Sequence, residues 1–338
     1  MDHDDPTVSV IIVNYNGRSF LPNCLECLEG QVGVDFETII VDNGSTDGSV
    51  EFIRQAYPGV KLRVSDTNLG FAGGNNLGLA SAEGEYILLL NTDAYLQPDS
   101  LVKLVRTVEH DGPDVVQPRL VLTGERGLDA CGSYFTGTGF LNHIGLYAGI
   151  EDAELRDGRD VFSVKGACML CRRGVIKDVG LFDDDYFMYF EESDFCHRAW
   201  LAGYRCSYVP VTDVRHEMGG TAADEDEDIS PELQFHSYKN RIRSYLKNLG
   251  RRRLLTIVPF HVVLVFLIGL LQFANGRTEY GKALIGAIGW NIRHIGSTLS
   301  KRRRIQTCLR KRPDSAFLPQ VTRTPDIKQY IDGLRNQL

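Results

Sequence analysis

The most restrictive feature of this sequence is an uncharged apolar run that stops at a single carboxylate. Residues 86–93 read Tyr-Ile-Leu-Leu-Leu-Asn-Thr-Asp. Because the run has no polar alternation, it predicts a strand that is buried on both faces of a sheet. In open α/β sheets, ligands bind just beyond the carboxyl ends of such strands. Asp93 is therefore a candidate site residue, and the alternative is a cap for a helix that starts near Pro98.

Strand and helix patterns alternate through the first 122 residues. Strands are predicted over residues 8–13, 37–41, 60–64, 86–90 and 114–122, with helices between them and a glycine-rich loop at 68–76. This alternation predicts an α/β fold with a mostly parallel sheet flanked by helices. Polar residues end three of the strands, at Asn14, Asp42 and Asp93. We expect these strand ends to converge on one ligand.

The following segment has a weaker pattern. Residues 123–160 are rich in glycine and aromatic residues and are predicted to form long loops around an acceptor. A helix is predicted over residues 191–203, with Gly203 as its C-terminal cap, and a strand over 206–211. The acidic stretch 224–228 is predicted to be a solvated loop.

Charge is distributed unevenly along the chain. Residues 1–239 hold 18 Lys and Arg against 40 Asp and Glu, whereas residues 240–312 hold 16 against one. Within that basic segment, residues 254–276 contain no charged side chain, which is long enough to span a bilayer. Basic residues flank both sides, so a helix lying in the headgroup region is favoured over a span. A helix buried on the soluble body is the third interpretation.

The charge pattern also indicates which partners the protein binds and where in the cell it lies. The basic segment 251–304 favours an anionic membrane surface, and no nucleic-acid partner is expected. The segment before the first predicted strand, residues 1–7, is short and acidic, so no signal peptide is expected. We expect the protein at the cytoplasmic face of a membrane, peripheral or monotopic.

Eight cysteines lack the regular spacing of a disulfide framework, which favours a reducing compartment. Two Cys-x-x-Cys pairs, Cys24 with Cys27 and Cys168 with Cys171, raise the hypothesis of a zinc site. Both pairs lie in apolar patterns, so core positions are favoured.

The polar residues fit the chemistry of a nucleotide-diphosphate substrate. Asn14 and Asp42 could contact the base and ribose, and Asp93 is a hard oxygen ligand suited to Mg²⁺ or Mn²⁺. Glu191, Glu192 and Asp194 place several carboxylates at a predicted helix start. One could act as a general base, while another caps the helix or pairs with Arg198.

Five segments together resemble family 2 glycosyltransferases of the GT-A fold, and most closely their rhamnosyltransferase-like branch. The segments are residues 8–17, 41–47, 68–76, 90–93 and 187–194, and the likeness runs from about residue 8 to 221. The resemblance implies a GT-A, Rossmann-like catalytic domain over residues 1–248. A membrane-associating helical segment, 249–312, and a tail, 313–338, are expected to follow it.

The resemblance also implies roles for individual residues. Asp93 matches the last acid of the metal-binding Asp-x-Asp motif, Asn91 replaces its first acid, and His216 resembles a histidine that completes the metal site. Glu192 matches the catalytic base, with Glu191 and Asp194 as its neighbours. Asn75 falls where many relatives carry an arginine near the diphosphate. The nucleotide-sugar site is expected to include Asn14, Tyr15, Asp42, Asn43, Gly73, Gly74, Asn75, Asn91 and Thr92.

The expected function is that of an inverting glycosyltransferase dependent on Mg²⁺ or Mn²⁺. Its donor is a nucleotide-diphosphate sugar, and its acceptor is a hydroxyl of a lipid-linked saccharide in polysaccharide or glycan synthesis. Two alternatives remain. A sugar-nucleotide nucleotidyltransferase would carry a basic glycine-rich loop near residues 14–17, and a non-catalytic binding protein would lack the acids.

Overall fold

The structure is a computed structural model, and it describes residues 7–109, 112–123, 127–146, 155–217 and 230–324. The first half alternates strands and helices as predicted. Its elements are β1 (Val8–Asn14), α1 (Leu21–Glu29), β2 (Phe36–Asp42), α2 (Ser49–Ala56), β3 (Lys61–Val64), α3 (Gly70–Leu79), β4 (Tyr86–Asn91), β5 (Ala94–Tyr95), α4 (Ser100–Glu109) and β6 (Val115–Leu122).

The second half adds short strands and then helices. Its strands and first helices are β7 (Leu128–Ala130), β8 (Ser133–Phe135), β9 (Leu141–His143), β10 (Arg159–Asp160), β11 (Cys168–Arg172), α5 (Arg173–Val179), α6 (Glu191–Ala202) and β12 (Cys206–His216). The C-terminal helices are α7 (Pro231–Asn248), α8 (Arg251–Ala274), α9 (Thr278–Arg293), α10 (Ile295–Arg304) and α11 (Leu318–Val321).

One mixed, mostly parallel sheet organises the molecule. Its strand order is β10-β12-β6-β11-β4-β1-β2-β3, with β5 paired to β12 and β7 paired to β6. β1 runs parallel to both β2 and β4, whereas β11 is antiparallel to its neighbours β4 and β6. The register sets Asn14 beside Asp42 and Val13 beside Asn91, so these strand ends lie level at one edge.

Both faces of the sheet are buried, as the apolar run of β4 predicts. Ile87 and Leu89 belong to one core with α6, and Leu88 and Leu90 belong to the other with α1 and α4. Asp93 does not cap the following helix, which was its alternative role, because β5 separates it from α4, which begins at Ser100.

Two predictions about loops were wrong. Residues 68–76 were expected to form a loop, but α3 begins at Gly70 and its glycines pack closely on the sheet. A Cβ at Gly78 would lie 2.5 Å from Ile11 Cγ2. Within 123–160, β7 joins the main sheet and β8 and β9 form a hairpin. The acidic stretch 224–228 lies outside the described residues.

The C-terminal helices pack against the catalytic body. α8 buries one stripe, at Ile257, His261, Val265 and Ile268, against neighbouring helices. Beyond α10 the chain returns to the body, where the Phe317 ring stacks on Trp200 with centroids 5.6 Å apart. The division into catalytic domain, helical segment and tail stays a prediction.

Candidate active site

Asn14 and Asp42 form a buried polar pair at the ends of β1 and β2. Asn14 Nδ2 donates to Asp42 Oδ2 at 2.8 Å and to Ser45 Oγ at 3.1 Å. Asp42 Oδ1 accepts from the Ser45 N–H at 2.9 Å. A Cβ at Gly17 would lie 2.6 Å from Asn14 Oδ1 and 3.3 Å from Thr92 Oγ1, which places Thr92 at the same edge. These contacts fix polar groups where parallel strands end.

The other predicted nucleotide-site residues divide into two groups. Tyr15 is 48% exposed beside the polar pair, and Asn43 is buried, donating to the Gly70 carbonyl at 3.0 Å. Gly73, Gly74 and Asn75 lie inside α3 instead of a loop. A Cβ at Gly74 would lie 2.7 Å from Val13 Cγ1, so this glycine allows close packing of α3 on β1.

Asn75 is turned away from an open site. Its side chain is 1% exposed, and its Nδ2 donates to the Phe71 carbonyl one turn earlier in α3. A structural role accounts for both observations. The nucleotide-binding role expected for Asn75 therefore draws no support from this geometry.

Asp93 and His216 meet because β5 pairs with the end of β12. His216 pairs with Ala94 in the ladder, and the Glu217 N–H donates to the Asp93 carbonyl at 3.0 Å. His216 Nε2 lies 3.3 Å from Asp93 Oδ1, and both side chains are buried. The expectation that these two residues share a site agrees with this placement.

Sequence reasoning missed two residues behind this pair. Asp129, in β7, lies 2.8 Å from His216 Nδ1, and Lys165 Nζ lies 2.5 Å from the other oxygen of Asp129. Burial would raise the pKa of Asp129, but His216 and Lys165 hold it well below its usual range. The sequence signal was only an acid between apolar residues, Leu128 and Ala130.

Glu191 and Glu192 begin α6 directly after two residues with unusual backbone. Tyr189 and Phe190 have φ angles of 66° and 72°, which non-glycine residues seldom adopt. Asn240 of α7 holds this turn by donating to the carbonyls of Met188 at 3.0 Å and Tyr189 at 2.7 Å. Strained backbone of this kind concentrates at functional sites.

The two glutamates differ in accessibility. Glu191 is 4% exposed, and its Oε2 has no hydrogen-bond partner among the described residues. Burial and the charge of Glu192 raise the pKa of Glu191 well above its usual value. Glu192 is partly exposed; burial raises its pKa, and the charge of nearby Lys165 partly opposes that rise. Ser193, the next residue, contacts Ser163 Oγ at 3.1 Å, so the start of α6 lies near the segment that carries Lys165.

Asp194 is occupied by internal contacts. It accepts from Arg198 Nε at 2.9 Å, which confirms the predicted i,i+4 pair, and from Asn248 Nδ2 at 2.8 Å. Lys247 Nζ lies 3.2 Å away and also contacts Asp183. Burial would raise the pKa of Asp194, but Lys247 and Arg198 lower it to about 2. Its geometry supports positioning of α6, whereas the sequence made it a catalytic candidate.

The zinc hypothesis draws no support. All eight cysteines are free, and Cys24, Cys168 and Cys171 are buried in the core. In the part of the chain that the structure describes, no three His, Cys, Asp or Glu side chains surround a cation position.

Comparison with known proteins assigns the chain to a family. The sequence model described as glycosyl transferase family 2 matches residues 9–180. The chain belongs to glycosyl transferase family 2. This glycosyltransferase is 25% identical over 215 residues to the low-salt glycan biosynthesis hexosyltransferase Agl10 of Haloferax volcanii, covering 62% of this chain and 67% of the relative. It is 28% identical over 235 residues to an N-acetylglucosaminyl-diphospho-decaprenol L-rhamnosyltransferase of Mycobacterium tuberculosis, covering 61% and 75%.

Solved structures show the same GT-A fold. Residues 1–349 of S. aureus TarS, in complex with UDP-GlcNAc, superpose with a TM-score of 0.59 at 18% identity, covering 89% of this chain and 87% of that one. The mannosyltransferase PcManGT of Pyrobaculum calidifontis, in complex with GDP-Man and Mn²⁺, gives 0.54 at 16% identity, covering 86% and 88%. Nucleotide-sugar-dependent glycosyl transfer follows from the family, and the predicted fold and family are confirmed.

The donor set of this glycosyltransferase fits a divalent cation. Because a carboxylate only accepts, the contact with Asp129 assigns a proton to His216 Nδ1. Burial would lower the pKa of His216, but Asp129 and Asp93 raise it, so a cation held by Nε2 beside Asp93 would replace a proton there. A carboxylate behind a histidine ligand is a common arrangement in metal sites. With two protein ligands, the remaining positions suit substrate phosphates and water, as is usual for Mg²⁺.

Removing Lys247 should destabilise the protein and displace α6. Lys247→Met removes a cation shared by two buried carboxylates. Asp194 keeps Arg198 and Asp183 keeps Lys301, so the cost should be at or below about 3–5 kcal/mol, which is typical of a broken buried pair. The free energy of unfolding in urea checks this. The matched control is Lys282→Met, whose exposed pair with Glu279 should contribute at most about 1 kcal/mol. Equal stability of the two variants would contradict a positioning role for Lys247.

Proposed function

We propose that this glycosyltransferase inverts the anomeric centre as it moves a sugar from a nucleotide-diphosphate sugar to a hydroxyl of a lipid-linked saccharide. The observation that carries the proposal is the placement of the buried Asn14–Asp42 pair and the Asp93–His216 pair where strands of the sheet end. Glu192 lies at the start of α6, where the next residue, Ser193, contacts Ser163, two residues before Lys165. The first pair suits the nucleoside, the second a cation on the diphosphate, and Glu192 suits the acceptor. Relatives named for diphospho-decaprenol and glycan substrates support the same acceptor class.

Glu192 is the better candidate for the general base. A base must be ionised and must reach the acceptor hydroxyl. Burial raises the pKa of both glutamates, but Glu191 is buried with a pKa well above its usual value, whereas Glu192 is partly exposed and open to a substrate. Glu192 therefore takes the hydroxyl proton while that oxygen bonds to the anomeric carbon, and the bond to the nucleotide diphosphate breaks with its electron pair.

Asp93 and His216 would hold the cation, with Asp129 orienting the His216 ring and Lys165 fixing Asp129. A divalent cation supplies charge stabilisation for the departing diphosphate. Asn91, next to the Ala167 carbonyl, and Thr92 complete the wall of this site. Mg²⁺ and Mn²⁺ both suit this oxygen and imidazole donor set.

The apolar side of α8 supports docking on a membrane surface. Among the described residues, Arg251–Ala274 is the one helix long and apolar enough to cross a bilayer, but a third of its most apolar window is buried in the protein. Its other side exposes Phe260, Val263 and Leu267. A helix packed along the body with its free side exposed suits the interface, and the basic residues of 251–304 would contact anionic lipid. We place the protein at the cytoplasmic face of the membrane.

Glu192→Gln should lower kcat about 10²- to 10⁴-fold while donor affinity stays the same, because it removes the base and keeps its shape. Turnover is measured as nucleotide diphosphate released in the presence of acceptor, and donor affinity by calorimetry. The control is Glu29→Gln, an exposed position on α1, which should behave as wild type. Loss of donor affinity in Glu192→Gln would assign Glu192 to donor binding instead.

Asp93→Ala should abolish the metal-dependent part of donor binding. In a thermal-shift panel of sugar nucleotides with Mn²⁺, the correct donor should raise the melting temperature of the wild type, since ligands stabilise the state they bind. A chelator should remove most of that shift in the wild type and change little in Asp93→Ala. A donor shift that is insensitive to both chelator and substitution would exclude the cation role.

Phe260→Ser combined with Leu267→Ser should reduce binding to anionic vesicles at least about 10²-fold. Each buried side chain of this size contributes roughly 1.5–3 kcal/mol. Flotation with phosphatidylglycerol-containing vesicles measures the effect. The matched control is Val32→Ser with Val64→Ser, which are also exposed but lie on the catalytic body. Undiminished flotation of the α8 variant would rule out this face as the docking surface.

A further inference from the structure

Arg241 of α7 is a cation held among aromatic rings, with no anionic partner among the residues that the structure describes. Its guanidinium carbon lies 5.0 Å from the ring centroids of Phe140 and Tyr238 and 5.5 Å from that of Phe190. Within the described residues its Nε and Nη1 are buried and have no hydrogen-bond acceptor. Arg241 as a whole is partly exposed, but buried N–H groups without an acceptor are costly, so such a position indicates a ligand.

Three other cations of α7 have an anionic partner or a hydrogen-bond acceptor, unlike the buried N–H groups of Arg241. Arg243 pairs with Asp185 and donates to Thr298 Oγ1 at 2.7 Å, and Lys247 pairs with Asp183 and Asp194. Lys239 Nζ donates to the Asp185 carbonyl at 3.1 Å. The contacts of these three residues fix the segment that leads to α6. Arg241 contributes nothing to that network, although it lies on the same helix.

Arg241 lies near both the carboxylates at the start of α6 and the apolar helix α8. It contacts Phe190, the residue directly before Glu191 and Glu192. It also contacts Phe140, whose ring lies 4.8 Å from His261 of α8, the helix with the exposed apolar face. The contacts of Arg241 therefore reach from the turn before these carboxylates to α8.

We propose that Arg241 binds the phosphate or diphosphate that joins the acceptor saccharide to its lipid. The inference rests on the proposed function, since it takes the acceptor to be lipid-linked. In such an acceptor the phosphates join the sugar to the lipid chain, and the contacts of Arg241 likewise reach from the turn before Glu192 to α8. A planar guanidinium with free N–H groups matches a phosphate in two-point contact, which lysine does not reproduce.

The test uses binding, so that it does not depend on turnover. The full-length protein in neutral detergent micelles is titrated by calorimetry with farnesyl diphosphate, farnesol, inorganic diphosphate and UDP. Wild type should bind farnesyl diphosphate more tightly than farnesol or inorganic diphosphate. Arg241→Gln should weaken farnesyl diphosphate binding roughly 10- to 100-fold, the value of a charged hydrogen bond, and leave farnesol and UDP binding unchanged.

Controls separate this site from charge and folding effects. Arg54→Gln, an exposed position on α2, removes the same charge and should bind every probe as wild type does. Arg241→Lys should lose most of the affinity that Arg241→Gln loses. Unchanged UDP binding in the Arg241 variants reports an intact fold.

Three results would overturn the proposal. Arg241→Gln could bind farnesyl diphosphate as wild type does, or it could lose UDP binding equally, which would assign Arg241 to the donor diphosphate. Inorganic diphosphate could bind as tightly as farnesyl diphosphate, which would exclude a lipid-linked ligand. The proposed function is tested separately, by measuring nucleotide released during sugar transfer. Wild-type protein that transfers no sugar in that assay would refute the proposed function.

Discussion

The buried contacts of Lys247 with Asp183 and Asp194 hold the acidic start of α6 in place. Two carboxylates buried this deeply need paired cations, and Lys247 contacts both of them. Separating α7 from the segment before α6 would leave Asp194 with Arg198 and Asp183 with Lys301 as their remaining partners. Asn240 adds two hydrogen bonds to the strained turn at Tyr189 and Phe190. Placement of Glu191 and Glu192 therefore depends on a helix that lies far from them in sequence.

The same network reaches the C-terminal helices. Lys301 of α10 contacts Asp183 and lies 2.6 Å from Asp185, and Arg243 of α7 contacts both Asp185 and Thr298 of α10. Tyr245 of α7 also donates to the Gly139 carbonyl in the turn between β8 and β9 at 2.7 Å. α7, which packs against α8 through Tyr238, Val265 and Ile268, thus also supports the acidic turn and the hairpin beside it. This arrangement makes the docking surface and the site parts of one packed unit.

Local sequence patterns were sufficient where the structure is itself local. Unbroken apolar runs predicted β1 and β4, and the polar residues after them predicted where the site lies. Gly203 in a left-handed conformation ends α6 as expected. The glycine-rich α3 was missed because its helicity comes from close packing on the sheet, as the short approach of Gly78 to Ile11 shows. Propensity alone disfavours a helix there.

Residues that act through distant partners could not be predicted. Asp129 meets His216 only because β6 pairs with both β7 and β12. Lys165 and Arg241 carry no motif, and the internal contacts of Asp194 depend on α7. The roles of His216 and Glu192 came from the family resemblance, whereas those of Asp42 and Asp93 were also argued from their positions after strands.

The anomeric configuration of the product tests the central claim most directly. The full-length protein, Mn²⁺, the sugar nucleotide selected by thermal shift and a saccharide linked to a prenyl diphosphate are combined, and the new glycosidic linkage is followed by NMR. The account predicts a product whose anomeric configuration is opposite to that of the donor, formed in equal amount with free nucleotide diphosphate. A product with retained configuration, or nucleotide release without a new linkage, would contradict it.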